Sequence, residues 1–134
     1  LLLPALNPDV AIIHVQRADC YGNAQYDGLP FMDADIAMAA DKVILTAEEI
    51  IDNDEIRRAP ENTKIPFLAV DAVVECPTGC VPHECAGHYD AVYAHMDYYG
   101  ALTREKGLAG AAEYLEKFVY GPAGWDEYVK MVRG

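Results

Sequence analysis

The sequence contains no serine and no cluster of basic residues, and each absence removes a class of function. Without serine, a Ser-His-Asp triad and its nucleophile elbow are excluded. Ten Lys and Arg stand against 22 Asp and Glu, which gives a net charge of −12. Nucleic-acid binding depends on basic side chains that neutralise phosphates, so we expect no nucleic-acid partner. An anionic membrane surface is disfavoured for the same reason.

Long apolar runs are also missing, and none approaches the roughly 20 residues of a membrane span. The apolar opening, residues 1–6, has no basic leader and contains Pro4, so it does not match a signal peptide. Four cysteines without a secretion signal indicate thiols before disulfides. We therefore expect a cytoplasmic protein without a membrane segment. The chain has no initiator Met and enters a core strand almost at once, so we expect residues 1–134 to be one partial domain.

The hydrophobic pattern predicts an α/β fold: an open, layered sheet with flanking helices, a strand-rich first half and a helical C-terminal third. The capping-box sequence at 46–49 predicts a helical turn, although tertiary context could make it strand. Many Pro and Gly residues predict an irregular loop at 76–87. Strands are predicted at 10–15, 24–26, 43–45 and 65–75, and helices at 31–40, around Ile56, and at 89–99, 108–119 and 125–132.

Polar residues follow the first predicted strand, where ligands bind in open α/β sheets. Arg17 can clamp a carboxylate or phosphate in bidentate fashion, and the amides of Gln16 and Asn23 can polarise a carbonyl. The alternative is a local ion pair between Arg17 and Asp19 that fixes the turn. The residue types alone leave the two interpretations equal. The predicted substrate-binding residues are Gln16, Arg17, Asn23 and Gln25.

Five residues of the types that bind zinc lie between positions 76 and 88. They crowd into one loop, whereas structural zinc sites usually use two separated pairs of ligands. The two histidines are also one residue too far apart for the metalloprotease helix motif. We predict no metal site here, and instead a loop with buried thiols and surface histidines. These five residues are Cys76, Cys80, His83, Cys85 and His88.

Residues 7–19, followed by Gly22-Asn23, resemble the signature of the family I coenzyme A transferases in their α-type subunit. The likeness covers nearly the whole chain. The segment 77–90 is similar to the glutaconate branch of that family. It departs from the branch at Cys80, Val81 and His88, which bears on the choice of acid more than on the fold. The likeness continues through residues 40–44, 48–50, 54–57, 65–66 and 70–75, and in the closing segments 118–121 and 128–129.

The resemblance implies a hetero-oligomeric enzyme of α-type and β-type subunits, with acyl-CoA and a carboxylic acid as substrates and no cofactor. A glutamate attacks the thioester, CoA leaves and returns to form a glutamyl-CoA thioester, and a second acid takes the CoA. That glutamate belongs to the β-type subunit in the glutaconate branch, so no catalytic residue is assigned to this chain. The match begins near the family's midpoint, which predicts that the isolated chain is inactive.

Two alternatives stay open within this fold. Some relatives of the glutaconate branch are acyl-CoA ring-opening hydrolases of steroid catabolism, which cleave a carbon–carbon bond without a glutamyl-CoA intermediate. The chain is otherwise a truncated, inactive assembly module that retains the fold.

Overall fold

Five strands form one mixed sheet in the first part of the chain. The computed structural model describes residues 2–29 and 31–134. The strand order is β4-β2-β1-β3-β5. β3 runs parallel to both β1 and β5, and β2 runs antiparallel to β1 and β4. The strands are β1 (Val10–Asp19), β2 (Ala24–Gln25), β3 (Lys42–Ile51), β4 (Thr63–Ile65) and β5 (Ala72–Glu75).

Two short helices connect these strands and three longer segments follow them. None of the helices within the described ranges combines the length and the apolar character of a membrane-crossing segment. The α-helices are α1 (Asp33–Ala39), α2 (Asn53–Arg58), α3 (Tyr93–Lys106), α4 (Leu108–Leu115) and α5 (Trp125–Arg133). One-turn 3₁₀ segments cover Pro60–Asn62 and Phe67–Ala69, and a π-helical turn covers Glu116–Tyr120.

The chain divides into two compact units. The sheet unit extends to Gly79 and contains all five strands with α1 and α2. The helical unit, Cys80–Gly134, contains α3, α4 and α5. In the helical unit, Val81, Phe118 and Val132 form the buried core. This arrangement confirms the predicted mixed sheet with flanking helices and a helical C-terminal part.

Alternation along the strands gives the sheet two unlike faces, because successive side chains of a strand point to opposite sides. On the core face, Ile13 and Leu45 are buried in one cluster with Ala37 of α1. The opposite face, which we call the outer face, begins with apolar residues that are half-buried or exposed. These residues are Val10, Ile12, Ile44, Ala72 and Val74.

The helical turn predicted at 46–49 is wrong, because these residues belong to β3. β3 pairs with β1 from Val10 opposite Lys42 to Asp19 opposite Ile51. A capping box stabilises a helix end by only about 1 kcal/mol, which a long ladder in a covered sheet outweighs. The tertiary alternative for this segment is therefore the correct one.

Two other strand boundaries also differ from the prediction. β1 does not end at Val15 but continues through the polar residues to Asp19. The strand predicted over 65–75 is interrupted: β4 ends at Ile65, a 3₁₀ turn follows Pro66, and β5 begins at Ala72. Proline cannot donate a ladder hydrogen bond, which explains the break.

Candidate functional site

The four residues predicted to bind substrate lie together at the hairpin that joins β1 to β2. We call residues 16–27 the β1–β2 turn. Gln16 and Arg17 belong to the last part of β1, Asn23 lies in the connection, and Gln25 ends β2. The antiparallel register of the two strands, with Arg17 opposite Gln25, brings these positions together.

Asp27 is the partner of both Gln16 and Arg17. The Gln16 side chain donates to the Asp27 carbonyl at 3.3 Å and accepts from the Asp27 N–H at 3.2 Å. The Arg17 guanidinium forms a bidentate pair with the Asp27 carboxylate, at 2.9 and 3.1 Å. These hydrogen bonds raise the pKa of Arg17 above its ordinary value. The ion pair that holds the turn is thus Arg17 with Asp27, and the Arg17–Asp19 pair considered from the sequence is not the one formed.

Asp19 organises the interior of the turn, a role that the sequence did not predict. Its carboxylate is fully buried and accepts hydrogen bonds from the N–H groups of Tyr21 and Asn23 at 3.0 and 2.9 Å. The side-chain amides of Asn23 and Asn53 donate to the other oxygen at 2.8 and 2.6 Å. Burial acts to raise the pKa of Asp19, but the four hydrogen bonds outweigh it and lower the pKa below 3.8. Asp19 is therefore a structural anion.

Asn23 and Gln25 tie the turn to more distant segments of the sheet unit. The Asn23 side-chain oxygen accepts from the Phe67 N–H at 3.2 Å, and the buried Gln25 side chain donates to the Ala59 carbonyl at 3.1 Å. Gly22 adopts φ +101°, and a Cβ there would lie 2.8 Å from the Val70 side chain. Glycine is thus needed for both backbone conformation and space. The turn is a rigid surface whose backbone positions are fixed on several sides.

Arg17 is the residue of the turn best suited to meet an anionic ligand. Its side chain is 30% exposed. A guanidinium has five N–H donors, and each terminal nitrogen donates once to Asp27. Its other donors can form hydrogen bonds to a carboxylate or a phosphate that approaches from solvent. The structure places the four predicted residues together, but it contains no ligand against which to test their role.

A second polar cluster, also missed by sequence reasoning, lies on the outer face of the sheet. The His14 Nε2 lies 2.8 Å from Glu48 Oε1, and the His14 Nδ1 lies 2.8 Å from the Thr46 hydroxyl. The second Glu48 oxygen accepts from the Thr78 N–H at 2.8 Å. A Cβ at Gly79 would collide with the imidazole of His14. The cluster fixes the segment after β5 against β1 and β3.

The cysteine and histidine loop adopts the irregular structure predicted from its Pro and Gly residues. Among the described residues, no disulfide joins any of the four cysteines. Cys85 is buried, whereas His83 and His88 are exposed. Within the helical unit, the Tyr89 hydroxyl accepts from the Cys80 N–H at 2.9 Å, and Tyr89 forms a bridge with Cys85. The loop is thus ordered by backbone contacts, and the absence of a metal stays a prediction.

Comparison with known proteins identifies the family. A family model described as "Coenzyme A transferase" matches residues 1–76, more than half of the chain. The chain belongs to the coenzyme A transferase family. The α-type subunit of glutaconate CoA-transferase from Acidaminococcus fermentans is 39% identical over 127 residues, which cover 95% of this chain and 39% of the relative. The crystal structure of glutaconate coenzyme A-transferase from that organism matches with a TM-score of 0.85 and 37% identity, over 96% of this chain and 39% of the other.

Two further relatives bear on length and chemistry. An uncharacterised protein of Archaeoglobus fulgidus is 49% identical over 99% of this chain and 29% of its own length. A cholesterol ring-cleaving hydrolase subunit of Rhodococcus jostii is 35% identical over 82 residues, which cover 59% of this chain and 28% of the relative. The chain therefore spans well under half the length of these coenzyme A transferase relatives.

Proposed function

We propose that this chain works as part of the α-type subunit of a heteromeric CoA-transferase, which moves CoA between an acyl-CoA and a small carboxylic or dicarboxylic acid. The observation that supports the proposal best is the match to the glutaconate CoA-transferase relative along nearly the whole chain, in fold as well as in sequence. Glutaconate is one candidate acid among several, because Cys80, Val81 and His88 depart from the glutaconate pattern. The cytoplasmic location stays a prediction.

In the proposed reaction, a glutamate of a β-type partner attacks the acyl-CoA thioester and the CoA thiolate leaves. The thiolate then attacks the glutamyl anhydride, which releases the first acid and leaves a glutamyl-CoA thioester. The second acid takes the CoA by the reverse steps. Glu48 of this chain is not suited to be the nucleophile, because its side chain is 5% exposed and both carboxylate oxygens accept hydrogen bonds.

The contribution of this chain is a preformed wall of the site at the β1–β2 turn. Arg17 would bind the carboxylate of the acid or a phosphate of CoA. Gln16, Asn23 and Gln25 would hold the wall in place through their hydrogen bonds to Asp27, Asp19 and Ala59. A wall fixed before the substrate binds does not have to be ordered at that moment, which favours binding.

Reconstitution tests the proposal. The chain would be combined with the remaining part of an α-type subunit in the presence of a β-type partner, and CoA transfer to a panel of acids would be measured. We expect transfer in the complete complex and none with the chain alone. Borohydride added after acyl-CoA should inactivate the complex by reducing the glutamyl thioester. Transfer by the isolated chain, or a complete complex that transfers CoA yet resists borohydride, would contradict the proposal.

Ring-opening hydrolysis is the second candidate, and the 35% identity to the Rhodococcus jostii relative supports it. A hydrolase of this type would consume a cyclic acyl-CoA without a glutamyl-CoA thioester, so borohydride would leave it active. A complete complex without activity towards any acyl-CoA would instead favour the assembly module.

A further inference from the structure

The outer face of the sheet exposes apolar side chains on its central strand. β1 is the middle strand of the five, yet Ile12 on this strand is 71% exposed. Ile44 lies beside Ile12 on β3, and Ala72 lies beside Ile44 on β5, so the three form one row across three strands. Val10 and Val74 extend the row and are each about half exposed.

The parallel arrangement of β1, β3 and β5 makes this exposure unusual. Sheets built from parallel strands are covered on both faces, and such strands are accordingly apolar on both sides. Here the core face is covered, since Ala37 of α1 is buried with Ile13 and Leu45. Val10 and Ile12 are β-branched and apolar as a second covered face requires, but they remain open to solvent. The outer face has the sequence of a buried surface.

We propose that the outer face binds the remainder of the α-type subunit of a CoA-transferase, meaning the polypeptide that the relatives have beyond the region matched by this chain. This occupant is favoured by length, because the chain matches 39% of the glutaconate CoA-transferase relative and leaves most of that polypeptide available to form a covering layer. The inference depends on family membership and not on CoA transfer.

Charge argues against a second copy of this chain as the occupant. Each chain has a net charge of −12, so face-to-face pairing of two copies would bring like charges together. A β-type subunit is a less suitable occupant, because a parallel sheet is normally covered within its own domain. Both alternatives are distinguished by the experiment below.

The experiment combines this chain with the α-type subunit of the Acidaminococcus fermentans glutaconate CoA-transferase, from which the matched region has been deleted. The two polypeptides are produced together, and the complex is recovered through a tag on the 134-residue chain. We expect the unaltered chain to bind, and Ile12→Lys to weaken binding by at least about 10-fold, which corresponds to about 1.4 kcal/mol. Leu108→Lys is the matched control, because Leu108 is 90% exposed in the helical unit. It should bind as the unaltered chain does.

A milder variant guards against an effect on folding. Ile12→Thr keeps the β-branched shape and should weaken binding by a few-fold, with an unchanged circular dichroism spectrum. Failure of the unaltered chain to bind the remainder, or equal binding by Ile12→Lys, would overturn the inference. So would a dimer of the chain, or a complex with only a β-type subunit, that Ile12→Lys disrupts. None of these binding results depends on CoA transfer, so they are separable from a failure of the proposed function.

Discussion

The Asp19 carboxylate accepts four hydrogen bonds inside the β1–β2 turn, from two backbone N–H groups and two side-chain amides. A charged acceptor with so many donors is stabilised by its surroundings even though it is fully buried. The Asn23 and Asn53 amides depend on this charge as much as it depends on them. This single side chain therefore determines whether the proposed wall of the site keeps its shape.

Asp19→Asn should destabilise the sheet unit by about 2 to 3 kcal/mol, because an amide places an N–H where donors already point. The folded-state pKa lies below 3.8, so the stability from this group is complete above that pH. It is lost as the pH falls through the folded-state value. Urea unfolding should show a full difference from the unaltered chain at pH 7 and a smaller one below pH 3.8. Asp54→Asn, at a side chain that is 72% exposed, should change little.

Arg17→Lys tests the proposed role of the guanidinium in the complete complex. Lysine keeps the charge but loses the planar fork that binds carboxylates and phosphates in bidentate fashion. We expect kcat/KM for CoA transfer to fall about 10-fold or more, with the rise in KM as the main effect, in steady-state assays. Arg58→Lys, at an exposed position of α2, is the control and should keep full activity. Equal kinetics for the two variants would remove Arg17 from the site.

At the scale of elements, β3 gives the sheet its central parallel ladder and also presents the Glu48 carboxylate to His14 and Thr78. Because side chains alternate along a strand, Glu48 and Thr46 point to the side of His14, whereas Glu49 points to the other. The same segment written as a helix would have separated these groups. The strand conformation of residues 46–49 is therefore what allows the segment after β5 to be fixed on the sheet.

Glu48→Ala should destabilise the sheet unit by about 3 kcal/mol, because it leaves His14 and the Thr78 N–H without a nearly buried partner. Glu48→Gln retains a hydrogen-bonding side chain and should cost clearly less. Glu49→Ala is a matched control from the neighbouring exposed position and should change stability by less than about 0.5 kcal/mol. Urea unfolding at pH 7 measures all three, and equal losses for Glu48→Ala and Glu49→Ala would contradict this account.

The sequence predicted those elements whose pattern is local. β1, β3 and the C-terminal helices follow from their apolar spacing, and the irregular loop follows from Pro and Gly. The sequence-based prediction failed at 46–49, where pairing with a distant strand outweighs a local capping motif. It located the β1–β2 turn, but it did not identify Asp27 as the partner of Arg17 or Glu48 as the partner of His14. The latter pair is 34 positions apart, and no periodicity reports such a contact.

At the scale of the whole molecule, the net charge of −12 opposes the binding of an anionic ligand such as CoA. Long-range attraction for CoA phosphates would have to come from other parts of the complex. Arg17 would then act at short range, where its geometry matters more than the total charge of the chain. The exposed outer face supports the same division of roles, because it predicts that this chain works as one layer of a larger subunit.

The charge also predicts a dependence on salt. Raising the ionic strength from about 0.01 M to 0.15 M shortens the screening length from about 30 Å to 8 Å, and should stabilise the chain against urea. The double variant Glu61→Lys, Glu105→Lys adds two charge units at each position and brings the net charge from −12 to −8. Both residues are exposed. The variant should show a smaller increase in the urea midpoint, and an equal increase would attribute the effect to the salt itself.

The contact between Gln16 and Asp27 has a consequence for how these positions tolerate change. The Gln16 side chain meets both backbone groups of Asp27, so one primary amide reproduces the pairing that a neighbouring peptide unit would supply. In a library that randomises both positions, residue 16 should therefore stay restricted to amides. Residue 27 should be restricted only by its carboxylate's pairing with Arg17, and it should drift freely once Arg17 is also varied. Side chain and backbone are thus inherited as separate traits at a single position.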